Sequence, residues 1–157
     1  MDFTTWMVAP EKIELVDGKA IFMWDCTGDW RWGFDPDSPG RVFDAERHAS
    51  WELHSEEMDQ FLVHRTVWEV LHSASARMRA TGVSESAVAA ITASAEEVQF
   101  GAWRWPVPGY RIFMQGDVLI QVVCDDDEDP EWDVDIAAPA PAALADILAL
   151  PDVEWRR

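Results

Sequence analysis

Positive charge is scarce in this chain. Twelve Lys and Arg stand against 30 Asp and Glu, a formal net charge of −18. Gripping phosphate takes clustered basic side chains, so neither nucleic acid nor an anionic membrane is an expected direct partner. Only Arg156 and Arg157 place two basic residues side by side. Cysteine is nearly absent as well: Cys26 and Cys124 lie far apart in sequence, which excludes a disulfide-knit scaffold and suggests core thiols of a reducing compartment. Long apolar runs are missing, since no uninterrupted stretch approaches the ~20 residues that span a bilayer. The start, Met1-Asp2-Phe3-Thr4-Thr5-Trp6, has neither a basic nor an apolar leader region. A cytoplasmic location is the expectation.

Chemical motifs are equally sparse. There is no G-x-S-x-G elbow, no Gly-rich phosphate cradle and no spacing that pairs a Ser or Cys nucleophile with a base. The histidines are His48, His54, His64 and His72. On one helix His64 and His72 would stand about 12 Å apart, too far to share a metal ion, so surface or boundary histidines are expected. Asp125, Asp127 and Asp129 resemble the opening of a calcium loop, but the sixth position is Pro130 rather than Gly and the twelfth is Ile136 rather than Glu. No metal, no cofactor and no enzymatic activity are therefore expected.

What the chain has in quantity is apolar bulk. At 157 residues and 48% hydrophobic, with ten Trp and seven Phe, it can build a core without disulfides or metals, and a single domain spanning residues 1–157 is expected. Asp17-Gly18 between apolar runs at 12–16 and 19–25 signals a β-hairpin. The arm Ala20-Ile21-Phe22-Met23-Trp24 is apolar on both faces and reads as a central strand. Trp30, Trp32 and Phe34 share one face of a third strand, residues 35–40 form a turn, and 41–43 resume extended structure briefly.

Ser55 is placed to cap a long helix whose first turn holds Glu56, Glu57 and Asp59. Val63, Val67, Val70, Leu71, Ala74 and Met78, widened by Phe61, Leu62 and Trp68, form its apolar stripe and carry it to about Arg79. A second helix fits 85–93 behind Ser84. Strands at 110–115 and 118–124 flank a Gly116-Asp117 turn. Trp132 to Ile136 alternates apolar and acidic residues, the pattern of an edge strand with its carboxylates in water. A terminal helix follows over 142–150, with Leu144, Ile147 and Leu148 on one face. The order implies an α+β fold, an antiparallel sheet with a long central helix and a C-terminal helix. The pairs Trp30/Trp32 and Trp103/Trp105 could form a stacking platform for a sugar, but core packing is the stronger reading.

The most distinctive stretch is residues 125–135, where eight of eleven positions are acidic and none is basic. Packing carboxylates together gains nothing in folding, so such a run is either a solvated loop or a surface kept negative for a cationic partner. The candidate partner-binding residues are Asp125, Asp126, Asp127, Glu128, Asp129, Glu131, Asp133 and Asp135, with Trp132 as an anchor.

A run from Ile13-Glu14-Leu15-Val16-Asp17-Gly18 to Ala20-Ile21-Phe22, then Asp25-Cys26-Thr27-Gly28-Asp29-Trp30-Arg31-Trp32-Gly33-Phe34-Asp35, resembles the SMI1/KNR4-like (SUKH) superfamily. Its glycine turn, apolar strand and small polar turn before a tryptophan-bearing strand occur in this order. Val42-Phe43, Trp51, Phe61-Leu62 and Trp68-Glu69 follow as the next strand and central helix would. The longer N-terminal helical segment usual in the family does not precede the hairpin, so a full member, a shortened one and a look-alike all fit the resemblance. It implies a non-enzymatic bacterial immunity protein that neutralises a toxin, most simply a basic toxin domain. A regulatory scaffold or adaptor is the alternative, and a carbohydrate-directed enzyme or binding module the third reading.

Overall fold

The computed structural model describes residues 5–105, 108–124 and 131–157. Strands β1 (Thr5–Met7) and β2 (Leu15–Val16) both pair antiparallel with β3 (Lys19–Asp25). Asp17 and Gly18 close the β2–β3 hairpin at φ 49° and 76°, left-handed at both central positions as this two-residue turn demands. The sheet continues through β4 (Trp30–Asp35), β5 (Ser38–Glu46) and β6 (Glu52–Glu57), giving six antiparallel strands in the order β1-β3-β4-β5-β6 with β2 also on β3. β5 is longer than the brief extension expected at 41–43, because its pairing with β4 runs from Asp35↔Ser38 to Trp30↔Glu46. As expected, β3 is an inner strand, with Ala20, Ile21, Phe22 and Met23 buried.

Residues 52–57 belong to β6, so Ser55 does not cap a helix. α1 (Met58–Ser73) begins after it and ends before Arg79. The side chains of His72 and Ser73 turn back onto the carbonyls of Trp68 and Glu69, at 2.8 and 2.6 Å, and the chain then extends as β7 (Ala76–Val83). The apolar stripe is also rotated from the expected one. α1 buries Phe61, His64, Arg65, Trp68 and Leu71, whereas Val63 is 58% and Val70 48% exposed. The burial-selected spacing is helical, but its members include a histidine and an arginine that a hydrophobicity pattern skips.

α2 (Glu85–Thr92) starts at Ser84, whose hydroxyl accepts the Ala87 N–H at 3.3 Å, satisfying one orphan donor of the first turn. Then come β8 (Glu96–Glu97), β9 (Arg111–Gln115), β10 (Val118–Cys124) and β11 (Trp132–Ala138). The expected β9–β10 hairpin is present, with Gly116 at φ 57°. These strands and β7 form a five-stranded antiparallel sheet in the order β7-β11-β10-β9-β8. A 3-10 turn over Pro141–Leu144 leads into the short α3 (Ala145–Leu148), burying Leu144 and Ile147.

The architecture is thus α+β, mostly sheet, with two antiparallel sheets and three α-helices among the described residues. The chain divides into two compact units, Met1–Thr66 and Val67–Arg157, and their boundary falls inside α1 rather than in a linker. In the first unit Phe61 meets Phe22 edge-on at 5.6 Å and lies 6.4 Å from Trp32. In the second, one sheet face joins Val134, Ile136, Ile120 and Val122 to Ile91 of α2 and to Leu144 and Ile147. Each such side chain contributes about 1.5–3 kcal/mol on burial.

Candidate functional site

Asp125, Asp126, Asp127, Glu128 and Asp129 lie outside the described residues. The remainder of the acidic stretch is built into the second sheet. β11 is an inner strand between β7 and β10, not the expected edge strand, and its alternation has a different cause. Asp133 and Asp135 turn from the face that carries Val134 and Ile136 toward two arginines of the neighbouring β7. Arg77 donates Nε and Nη2 to Asp135 Oδ1 at 3.1 and 2.7 Å. Arg79 donates Nη2 to Asp133 Oδ2 and lies 4.0 Å from Asp135 Oδ2. Asp135 is a buried residue, so its charge is balanced within the fold rather than offered to solvent.

Trp132 is half-buried and packs with the aliphatic core on the other face, separated from the two aspartates by the pleat. Glu131 is exposed and lies against Gly82 of β7, where an added Cβ would stand 3.6 Å from its Oε2. The structure therefore groups Asp133 and Asp135 with Arg77 and Arg79, and sets Trp132 apart from them. Of the platform candidates, Trp32, Trp103 and Trp105 are buried, in keeping with core packing.

Pattern reading missed a set of charged groups inside the first unit. Asp25, Arg31, Asp44, His54, Glu56, His64 and Arg65 are all buried. His54 and His64 are core residues, not the surface or boundary positions expected. His64 Nδ1 pairs with Glu56 Oε1 at 2.9 Å, and both side chains are almost wholly enclosed. His54 Nδ1 accepts the Glu56 backbone N–H at 3.1 Å, which fixes that nitrogen as unprotonated, and its ring stands edge-on to Phe61 at 5.2 Å. The available signal was an inversion: β6 alternates with His54 and Glu56 inward and Leu53 outward.

Two further arrangements order the first unit. Asp25 accepts Thr27 Oγ1 at 2.5 Å and the Trp30 N–H at 2.8 Å, tying the β3–β4 turn. Burial pushes its carboxyl up, yet these bonds and those from the Thr27 and Asp29 backbone outweigh it and hold the group below the usual carboxylate range. Arg31 stacks over Trp51 at 4.3 Å and donates to the Ala49 carbonyl at 3.0 Å. Burial lowers its pKa, opposed by the Asp17 charge. Gly33 leaves room for this indole, because a Cβ there would meet Trp51 Cη2 at 3.1 Å. Cys26 is exposed and Cys124 half-buried, so neither is a core thiol.

Among the described residues no three His, Cys, Asp or Glu side chains converge where they could hold a metal ion. No helix among them is long and apolar enough to cross a membrane. No family model, curated protein or solved structure matches the chain.

Proposed function

We propose that this protein is a cytoplasmic, non-enzymatic protein-binding domain of the SMI1/KNR4-like type, an immunity protein that occludes a basic toxin domain. The observation that carries the reading is electrostatic: a net charge of −18 with its densest acidic run at residues 125–135. Asp133 and Asp135 are committed to Arg79 and Arg77, so the anionic contact surface is assigned to Asp125, Asp126, Asp127, Glu128, Asp129 and Glu131. In support, the 16-residue α1 follows the tryptophan-bearing strands, and we read it as the counterpart of the family's central helix.

A toxin that grips an anionic substrate is basic there, and an acidic face speeds its encounter. Reversing the charge of Asp125, Asp126, Asp127 and Asp129 to Lys is expected to slow association with a basic toxin domain that the protein neutralises about 10- to 1000-fold at low salt. It should also flatten the salt dependence of the rate. Stopped-flow association at two ionic strengths reads both. An unchanged rate and slope would sink the assignment.

A further inference from the structure

The second unit holds a cavity of about 350 Å³ at the C-terminal end of α1, and every residue that lines it belongs to that unit. Val70, Leu119 and Ala137 make its apolar part, while Ser73, Ser75 and Asp117 bring polar groups. Leu119 pairs across the sheet with Ala137 on one side and with Met114 on the other. Paired residues share a face. The apolar floor therefore runs on past the cavity to Met114, which is 49% exposed. A strip of sheet is left open to water there.

Charge selects the sign of what the cavity takes. Asp117 is an exposed carboxylate in the turn that precedes β10, and among the described residues no Lys, Arg or His lines the walls. Arg77, the register partner of Ala137, is committed to Asp135 at 3.1 and 2.7 Å. The last turn of α1 contributes Val70 and Ser73 to the lining, and the partial negative charge of a helix C-terminus favours a cation. Carboxylate, hydroxyls and helix end are all acceptors, and a primary ammonium offers three donors to them. A concave, partly apolar cavity with a few polar groups is the usual form of a small-molecule site.

We infer that this cavity binds a small primary amine with an apolar tail, its ammonium on Asp117 and its tail along Leu119 toward Met114. Asp117 lies outside residues 125–135. The site is therefore independent of the acidic surface assigned above.

The test is an NMR titration of the full chain, at 0.15 M salt as in, with hexylammonium, hexyltrimethylammonium, hexanol and hexanoate, followed by backbone amide shifts. Hexylammonium is expected to saturate and to shift the amides of Val70, Ser75 and Leu119. Hexanol and hexanoate should bind at least about tenfold more weakly, the loss of one charge-assisted contact. Hexyltrimethylammonium keeps the charge and the tail but has no N–H to donate, and it too should bind more weakly. Asp117→Asn should weaken hexylammonium about tenfold, in a protein that stays folded because Asn suits a turn as Asp does. Glu14→Gln removes the same charge from an exposed position of the first unit. It should change the affinity less than about twofold, because distant surface charges are screened; this separates a site from the general pull of a chain of net charge −18. Val70→Trp fills the cavity from a half-exposed position and should abolish binding while leaving the melting temperature without ligand nearly unchanged. No saturable binding of hexylammonium would overturn the site, as would equal binding of any of the other three probes. So would an affinity unchanged in Asp117→Asn or Val70→Trp, or a loss in Glu14→Gln as large as that in Asp117→Asn.

Discussion

The two units solve the problem of an interior in opposite ways. In the second, the inner face of the sheet is aliphatic, Val134, Ile136, Ile120 and Val122 against Ile91, Leu144 and Ile147. Its ion pairs between β7 and β11 sit on the other face. In the first, Phe22, Met23, Trp32 and Phe61 share the interior with Asp44, His54, Glu56, His64 and Arg65. An aliphatic interior is forgiving, because a lost methylene costs in proportion to the cavity left behind. An interior that holds ionisable groups is not, because removing one leaves its partner enclosed without compensation.

The largest expected effect tests that contrast directly. Glu56→Ala should destabilise the first unit by about 3–5 kcal/mol in urea unfolding, whereas converting both Glu56 and His64 to Leu should restore most of the loss. If the single and double substitutions cost the same, the pair is not what makes the first interior sensitive.

A smaller effect belongs to the β3–β4 turn. Asp25→Ala should cost about 1–3 kcal/mol at pH 7, where the carboxylate is charged and accepts from Thr27 and Trp30. Its pKa is depressed in the folded state, so this contribution is present above the unfolded value of about 3.9 and is lost as pH falls through the folded pKa. Unfolding midpoints of the two proteins should therefore converge in strong acid. A constant gap across that range would mean the turn is held by something other than the charge.

The smallest effect comes from the second unit. Arg111 donates Nε and Nη2 to the two Glu97 oxygens, both at 2.7 Å, bridging β9 and β8. The fork lowers the Glu97 pKa and raises that of Arg111, yet it is open to solvent. Arg111→Ala should cost no more than about 0.2–1 kcal/mol, and less in high salt. A larger loss, insensitive to salt, would show that this exposed fork stabilises the second unit as the enclosed Asp135 pair does, rather than as a screened surface pair.

Legibility in sequence followed the same division. The Asp17-Gly18 and Gly116-Asp117 hairpins and the Ser84 cap were readable because their causes are local, a turn residue or a hydroxyl three positions from its partner. The end of α1 was not, because apolar spacing continues from Phe61 through Met78 while the strand that captures β7 lies far along the chain: Arg77 meets Asp135 across 58 positions. The same pairing removed Asp133 and Asp135 from the surface that their alternation had suggested. For β6 and α1 the obstacle was polarity itself, since His54, Glu56, His64 and Arg65 turn inward where a pattern of hydrophobicity looks for Leu53, Leu62 and Val63. Of the partner-binding candidates only Glu131, Trp132, Asp133 and Asp135 fall within the described residues.

That inversion has a colloidal consequence. Turning charge inward turns grease outward: Leu53, Leu62, Val63 and, on β2, Leu15 face water. Mutual repulsion between strongly anionic particles keeps such sticky spots apart at neutral pH. Toward the isoelectric point, near pH 4.3, that repulsion fades while the spots remain, so the molecules should clump there while still natively structured.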